Sequence, residues 1–520
     1  MAESLSKWHG NDVIGGAWLS ATYGFVPVQP LRFTSTIGPS RSSRNTGNLR
    51  STQFTEQYRP EPTLRAHLEF MMRYERISLE FLARLFAVTG PDELLAWIKE
   101  EPTGRYARRA CFYFELLTGT RLEFEGVLNG GYVDALEEDR YWTASKGEND
   151  RRWRVRNNLP GNHRFCPIVL LTDRVREAIE FDFAVAWGEM EREFSKELLA
   201  RSAVWLTLKE SRASFAVEGE GDKADRVHRF AAAMESQLGR HRDIFEPETV
   251  EMLQREVLGN DAAFHGLRKS PIFVGQTRSS GEIVHYIAPD WQVAQDILAG
   301  LSSCDEVTAD SNSILRATAL SFGFVYAHPL TDGNGRISRF IINDVLRRAR
   351  VIPEPFVLPV SAVILSSMHN YDRALERLSR PLMRRYAGAY WFGERVRYED
   401  GRTSDFHFNG YKDAAPTWRY PDLTDHVEYL ADVIRVTLNE EMRTEAREMR
   451  AFRDARAAIK EVFEAPDPDV DRIIRSVSEN RWAISGKLLE EFPKLARAEV
   501  AEGIVGAVRN SFEGNGGQGR

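Results

Sequence analysis

The sequence predicts a mainly α-helical protein that carries one conspicuous β-hairpin, and three observations lead there. From about Pro62 onward apolar residues recur at helical spacing. The clearest departure is Ile272 to Ile287, where the β-branched and aromatic runs IFVGQ and EIVHYI flank TRSSG, a hairpin signal. Near the C-terminus, IIRSVSENRWAISGKLLEEFPKLARAEVAEGIVGAVRNSF has the pattern of a winged-helix or helix-turn-helix module.

Taken in order, residues 1–60 are rich in Ser, Thr, Arg, Gly and Pro. The stretch TSTIGPSRSSRNTGNLRSTQ has no periodicity, so a flexible N-terminal arm is expected. Residues 61–200 form a helical region, with LRAHLEFMMRYERISLEFLARLFAV and YARRACFYFELLTG as amphipathic helices. Within it, Leu122 to Pro167 holds Gly130-Gly131, Asn157-Asn158 and Pro160-Gly161, so loops and short strands are expected. The basic cluster Arg151 to Arg156 reads as a solvated face. A long helical zone, about Arg174 to Leu258, leads into a central domain at 201–395. There helices resume after the hairpin with WQVAQDILAGL, SILRATALSFGFVYA, FIINDVLRRAR and MHNYDRALERL. Residues 396–424 break the pattern as a connector. Residues 425–512 are helical and winged-helix-like, and 513–520 form a disordered tail.

Composition excludes several function classes. Lys plus Arg is 69 and Asp plus Glu is 76, a net charge of −7 that gives no basic field for nucleic acid or anionic membrane. No apolar run is long enough to span a bilayer, and MAESLSKWHGND lacks the apolar core of a signal peptide. Cys111, Cys166 and Cys304 are scattered, without a CxxC, and read as reduced, small buried hydrophobes. A cytoplasmic location is therefore expected.

The chemistry concentrates in HPLTDGNGRISR, His328 to Arg339. Both flanks are helical in pattern, so the run is a loop that ends at a helix N-terminus. Asp332-Gly333-Asn334-Gly335 places two glycines where backbone N–H groups and the helix dipole converge, an anion cradle suited to a polyphosphate. Arg336 and Arg339, three apart, supply cationic forks on one face of the first turn. Asp332 offers a hard oxygen for Mg²⁺ (or Mn²⁺), and His328 is the residue that can take a proton near neutral pH. The simpler alternative is a tight helix–loop–helix turn with surface arginines.

The run resembles the Fic motif, His-Pro-Phe-x-Asp/Glu-Gly-Asn-Gly-Arg-x-x-Arg, with Leu330 in place of the Phe that anchors the loop in the core. The resemblance covers at least Ser211 to about Tyr386 and implies a Fic-type helical core. It implies a protein adenylyltransferase, which moves AMP from ATP onto a Tyr, Thr or Ser hydroxyl and releases pyrophosphate. By that resemblance His328 is the general base and Asp332 holds the metal between the α- and β-phosphates. Gly333, Asn334 and Gly335 form the anion hole, Arg336 binds the β-phosphate and Arg339 the γ-phosphate. Tyr371 lines the adenine side. The hairpin sits where the family has its flap, with Ile272, Phe273, Val274, Gly275, Val284, His285 and Tyr286 as the target-docking residues. An unpaired strand edge can add an extended target segment through main-chain bonds.

Upstream, SFAVEG resembles the family's inhibitory motif, Ser/Thr-x-x-x-Glu-Gly/Asn. Ser214 and Glu218 share a helix face, and Glu218 at a helix C-terminus gains from a cationic partner. In the family that partner is the second motif arginine, here Arg339, so the γ-phosphate and Glu218 compete for it. In some relatives the same Glu supports removal of AMP. The long N-terminal region is similar to the leader of some long bacterial Fic proteins. The would-be recognition helix of the C-terminal module carries Glu499 and Glu502 between Arg497 and Arg509, which favours protein docking over DNA. The expected partners are ATP and a hydroxyl-bearing protein, either a separate target or the chain itself; a homodimer is compatible with the sequence. The rival readings are a Fic-fold regulator acting through its C-terminal module in DNA or partner binding, and transfer from UTP, GTP or a phosphocholine nucleotide.

Overall fold

The computed structural model describes residues 12–221, 223–259, 264–278 and 281–514. The described chain is mainly α-helical, with four small sheets. No described helix is long and apolar enough to cross a membrane. The chain divides into two compact units. The first holds the described residues up to Phe181, Ser236–Ala349 and Ser367–Asp432; the second holds Asp182–Glu235, Arg350–Ser366 and the described residues from Val433.

The first unit opens with a correction. Residues 13–54 form a four-stranded sheet, where the sequence led us to expect a flexible arm over 1–60; residues 1–11 lie outside the described part. Its strands are β1 (Val13–Ile14), β2 (Phe33–Ile37), β3 (Ser42–Thr46) and β4 (Leu49–Phe54), in the order β1-β2-β4-β3. β2 and β4 are parallel and the other pairs antiparallel. The ladder bonds come from the backbone, so Ser- and Thr-rich strands serve as well as apolar ones. Hydroxyl pairs such as Thr34 Oγ1 with Ser51 Oγ (3.0 Å) join neighbouring strands. Only Ile14, Ile37 and Phe54 reach a small core, against Phe70. Arg32 fixes the start of β2 by donating Nη2 to Asp422 (3.1 Å) and Nη1 to Asp425 (2.9 Å).

Helices Leu64–Tyr74, Leu79–Thr89, Asp92–Glu100 and Arg105–Thr118 then bury their apolar faces in one core. Thr63 and Ser78 cap the first two through their hydroxyls. The expected short strands appear as β5 (Val133–Asp134), β6 (Glu148–Asp150) and β7 (Val155–Asn157). In the basic cluster Arg152 pairs with Glu115 (3.1 Å) and Arg156 with Asp134 (2.6 Å), so both hold the local fold. Cys111, Cys166 and Cys304 are buried and free, and burial pushes their thiols up, as inert small hydrophobes require.

The centre of this unit is helix Ser313–Ala327, buried along its length except at Val325, with helix Asn334–Arg348 beside it. A buried ion network fixes their far ends. Asp305 accepts from Arg316 Nη2 (2.6 Å) and Arg348 Nη1 (2.7 Å). Asp344 accepts from Arg348 Nε (2.7 Å) and the Gly239 N–H (2.8 Å). The predicted hairpin is β8 (Phe273–Arg278) and β9 (Gly281–Ile287), with a bulge between Val274 and Gly275.

A second correction concerns 396–424. The expected connector is the hairpin β10 (Tyr390–Arg397) and β11 (Thr403–Phe408), followed by helix Tyr411–Arg419. A boundary at 395 therefore cuts a strand. Phe406 is fully buried and lies 4.9 Å, ring to ring, from Phe273 at the start of β8. Charged residues such as Glu394 and Arg395 interrupt the short aromatic alternation, so the run carries no clear strand signal.

In the second unit, helix Met442–Val462 packs with Asp467–Glu479 and Ala498–Gly514 around Ile459, Ile473, Ile474, Val477, Leu488, Ile504 and Val508. The described residues after 467 contain helices and no strand, so the expected wing is absent among them; residues 515–520, most of the expected tail, lie outside the described part. Helix Lys196–Val217 belongs to this unit. Its buried Glu210 accepts from the N–H and the hydroxyl of Ser361 (2.7 and 2.6 Å).

Candidate functional site

The site is built where helix Ser313–Ala327 ends and helix Asn334–Arg348 begins. His328 is the C-cap of the first, with φ 47° and ψ 54°. A non-glycine residue held left-handed is strained, and such strain persists where the surroundings over-determine it. Here the His328 N–H donates to the Phe324 carbonyl (3.0 Å), and Nδ1 lies 3.2 Å from the Val325 carbonyl. A carbonyl only accepts, so Nδ1 carries the proton and Nε2 is the basic nitrogen.

The loop between the helices is folded on itself by Asn334. Its Oδ1 accepts from the Leu330 N–H (3.0 Å), and its Nδ2 donates to the Leu330 carbonyl (2.9 Å). Asn334 is 3% exposed and Leu330 fully buried. Leu330 thus anchors the loop in the core, as expected for the position where the motif has Phe. The Asn334 side chain is a staple, so any anion contact from this residue falls to its backbone N–H. Gly333 caps the second helix at φ 92°, which a side chain rarely adopts. Gln254, on helix Pro247–Leu258, braces the loop from outside the motif: Nε2 donates to the Asp332 carbonyl (2.9 Å), and Oε1 accepts from the Gly266 N–H (2.8 Å).

The two arginines decide against a plain surface turn. Arg336 is 3% exposed and Arg339 1%. Guanidinium groups are seldom buried to that degree on an ordinary turn. Arg336 donates Nη2 to Asp332 Oδ1, which also accepts the Gly333 N–H (2.6 Å). The Asp332 side chain stays half-exposed at 49%. One half-exposed carboxylate beside a helix N-terminus fits a Mg²⁺ ion that takes most of its oxygens from phosphate and water. Among the described residues no cluster of three metal-binding side chains exists that would hold a metal alone.

Tyr371 is 9% exposed and its ring lies 6.3 Å from that of Tyr429. Burial and the neighbouring Tyr371 push the Tyr429 phenol up, while the charge of Arg339 opposes them. Arg339, Tyr371 and Tyr429 therefore share one neighbourhood. Tyr429 was not among the expected site residues; it lies in an ordinary helical run with no motif around it.

The hairpin divides the expected docking residues. Val274, Gly275 and His285 are exposed, and Ile272 and Phe273 half-buried. Val284 and Tyr286 are 8% and 7% exposed, and the Tyr286 hydroxyl donates to the Tyr326 carbonyl. These two side chains hold the hairpin down, on the face that strand alternation turns inward. At Gly275 a Cβ would lie 2.2 Å from the Ile283 carbonyl oxygen, so the bulge requires glycine. Ser214 and Glu218 lie in the second unit. Ser214 is buried on helix Lys196–Val217, and Glu218 is its exposed C-cap.

The Fic/DOC family model matches residues 228–346. A protein adenylyltransferase fic-1 of Caenorhabditis briggsae is 31% identical over 163 residues, 29% of this chain and 30% of that protein. The fic-1 of Caenorhabditis elegans is 29% identical over 168 residues, 30% of this chain and 31% of that protein. The match thus spans less than a third of either relative's length. A crystal structure of a Fic family protein from Desulfovibrio desulfuricans G20 aligns at a TM-score of 0.37 and 17% identity, covering 63% of this chain and 94% of that one. Residues 228–346 are therefore similar to the Fic/DOC family.

Proposed function

We propose that this protein is an adenylyltransferase that moves AMP from ATP to a Ser, Thr or Tyr hydroxyl of a protein. The observation that carries the reading is the disposition of the loop. A histidine with its basic nitrogen on Nε2 ends one helix, and two buried arginines open the next beside a half-exposed carboxylate. In this reading His328 Nε2 takes the proton of the target hydroxyl, whose oxygen attacks the α-phosphorus. The new O–P bond forms as the bond to the bridging α–β oxygen breaks, and pyrophosphate leaves with that electron pair. Arg336, Arg339 and the N–H groups at the helix start hold the phosphate oxygens, so catalysis is mainly positioning and charge stabilisation. Asp332 would hold a Mg²⁺, which when bound supplies neutralisation of phosphate charge.

The inhibitory role of Ser214 and Glu218 belongs to the same proposal and rests on the resemblance of SFAVEG. Glu218 there competes with the γ-phosphate for Arg339. Full-length protein incubated with α-labelled ATP and Mg²⁺, read by intact mass, tests both parts. Glu218→Gly is expected to raise AMP incorporation, and an equal or lower rate refutes the brake. His328→Ala is expected to lose on the order of 10²–10⁴ in rate, the usual worth of a positioned base. Undiminished labelling by that variant removes His328 from the mechanism. A panel of ATP, GTP, UTP and CDP-choline in the same assay identifies the donor.

A further inference from the structure

We propose that Arg268 is a positioning residue that clamps the His328 backbone to both roots of the β8–β9 hairpin. Its four bonds state the case. Nε donates to the His328 carbonyl (2.7 Å) and the main-chain N–H to the Pro329 carbonyl (2.9 Å). Nη1 donates to the Ser270 carbonyl (2.9 Å), just before β8, and Nη2 to the Pro289 carbonyl (2.6 Å), just after β9. Arg268 is 1% exposed, and its hydrogen-bond partners among the described residues are all backbone carbonyls.

An arginine buried among carbonyls, with no carboxylate hydrogen-bonded to it among the described residues, is an expensive arrangement. Burial pulls its pKa down to about 10, still well above neutrality. What the guanidinium supplies that a neutral amide does not is a planar fork reaching three carbonyls in three directions at once. Two of its four bonds hold the strained His328-Pro329 step in place. The other two draw together the chain entering and leaving the hairpin. Its neighbours extend the clasp to the turn of the β10–β11 hairpin: the Lys269 N–H and the Ser270 hydroxyl donate to Asp400 Oδ2 (2.9 and 2.7 Å). Sequence gave no sign of this role, because Arg268 lies 60 residues before His328 in an unpatterned stretch.

The inference rests on the transfer reading for its catalytic meaning, but the clamp has a readout of its own. Full-length wild type, Arg268→Lys, Arg268→Gln and Asp400→Asn are compared by amide exchange, ATP affinity and single-turnover AMP incorporation. For Arg268→Lys, faster exchange is expected at 324–332 and at the hairpin roots, with unchanged exchange in helices 64–118. ATP affinity is expected to stay within about twofold, while the transfer rate falls about 10- to 100-fold, the scale on which small misplacements act. Arg268→Gln is expected to fall further, and Asp400→Asn to loosen the hairpin roots alone. Wild-type exchange and rate in Arg268→Lys overturn the clamp. So does exchange that rises throughout the chain, which marks a merely structural arginine. A Glu218→Gly protein that transfers no AMP, while Arg268→Lys shows the localised exchange change, refutes the transfer reading and leaves the clamp standing.

Discussion

Replacing Asn334 by alanine is the sharpest test of how the loop from His328 to Asn334 holds its shape. The substitution removes two buried hydrogen bonds, of 3.0 and 2.9 Å, and leaves the N–H and carbonyl of fully buried Leu330 without that partner. Each buried group so orphaned costs about 1–2 kcal/mol, the lower part of the usual range, so the ordered loop loses about 2–4 kcal/mol against its opened forms. At 1.4 kcal/mol per tenfold, that lowers the ordered-to-open ratio by about 30- to 10³-fold. Ligand affinity falls in proportion only once the open forms predominate. The Leu330 amide is the direct probe, since Asn334 Oδ1 is its acceptor. Exchange at Leu330 is expected to accelerate by one to three orders of magnitude, with ATP affinity falling by less. Asn334→Asp keeps the acceptor, loses the donor and adds a negative charge beside the proposed phosphate site; it is expected to protect the Leu330 amide better than alanine does while binding ATP no better. An unchanged Leu330 exchange rate in Asn334→Ala refutes the staple.

Asp305→Ala strands Arg316 and removes one partner of Arg348 in a buried network. It is expected to cost about 3–5 kcal/mol in denaturant unfolding, and a loss below 1 kcal/mol would show that the network is hydrated. Gly275→Ala drives a Cβ into the Ile283 carbonyl, so faster exchange confined to β8 and β9 is expected, with full exchange protection there refuting the bulge argument. His426, fully buried with Nε2 2.7 Å from the Tyr326 hydroxyl, has its pKa lowered by burial from 6.5 to about 4. The folded state keeps the imidazole neutral, so its contribution is complete above 6.5 and is lost as pH falls toward 4, by about 3 kcal/mol in all. Unfolding measured between those limits is expected to show that loss, and His426→Gln to flatten it; the same slope in the variant assigns the effect elsewhere.

The sequence by itself determined what is local. Helical spacing set the long helices, and strand chemistry on either side of TRSSG set the β8–β9 hairpin. The run His328 to Arg339 set a loop whose key bonds, such as Asn334 to Leu330, join residues four apart. Such contacts lie within one turn of chain, where residue type and spacing are enough. The tertiary structure alone decided what depends on distant partners. The strands at 13–54 draw their stability from backbone pairing and from an arginine that reaches Asp422, so their polar composition concealed them. β10 and β11 become a hairpin against Phe273 only once the chain has folded back. The burial of Arg336 and Arg339, which separates a binding loop from a surface turn, is a tertiary property, and Tyr429, distant in sequence, lies near enough to Arg339 to feel its charge. Arg268 shows the division most clearly. Nothing around it in sequence marks it, yet it binds the His328 carbonyl, because a side chain finds its partners by proximity in space, and sequence spacing records only proximity along the chain.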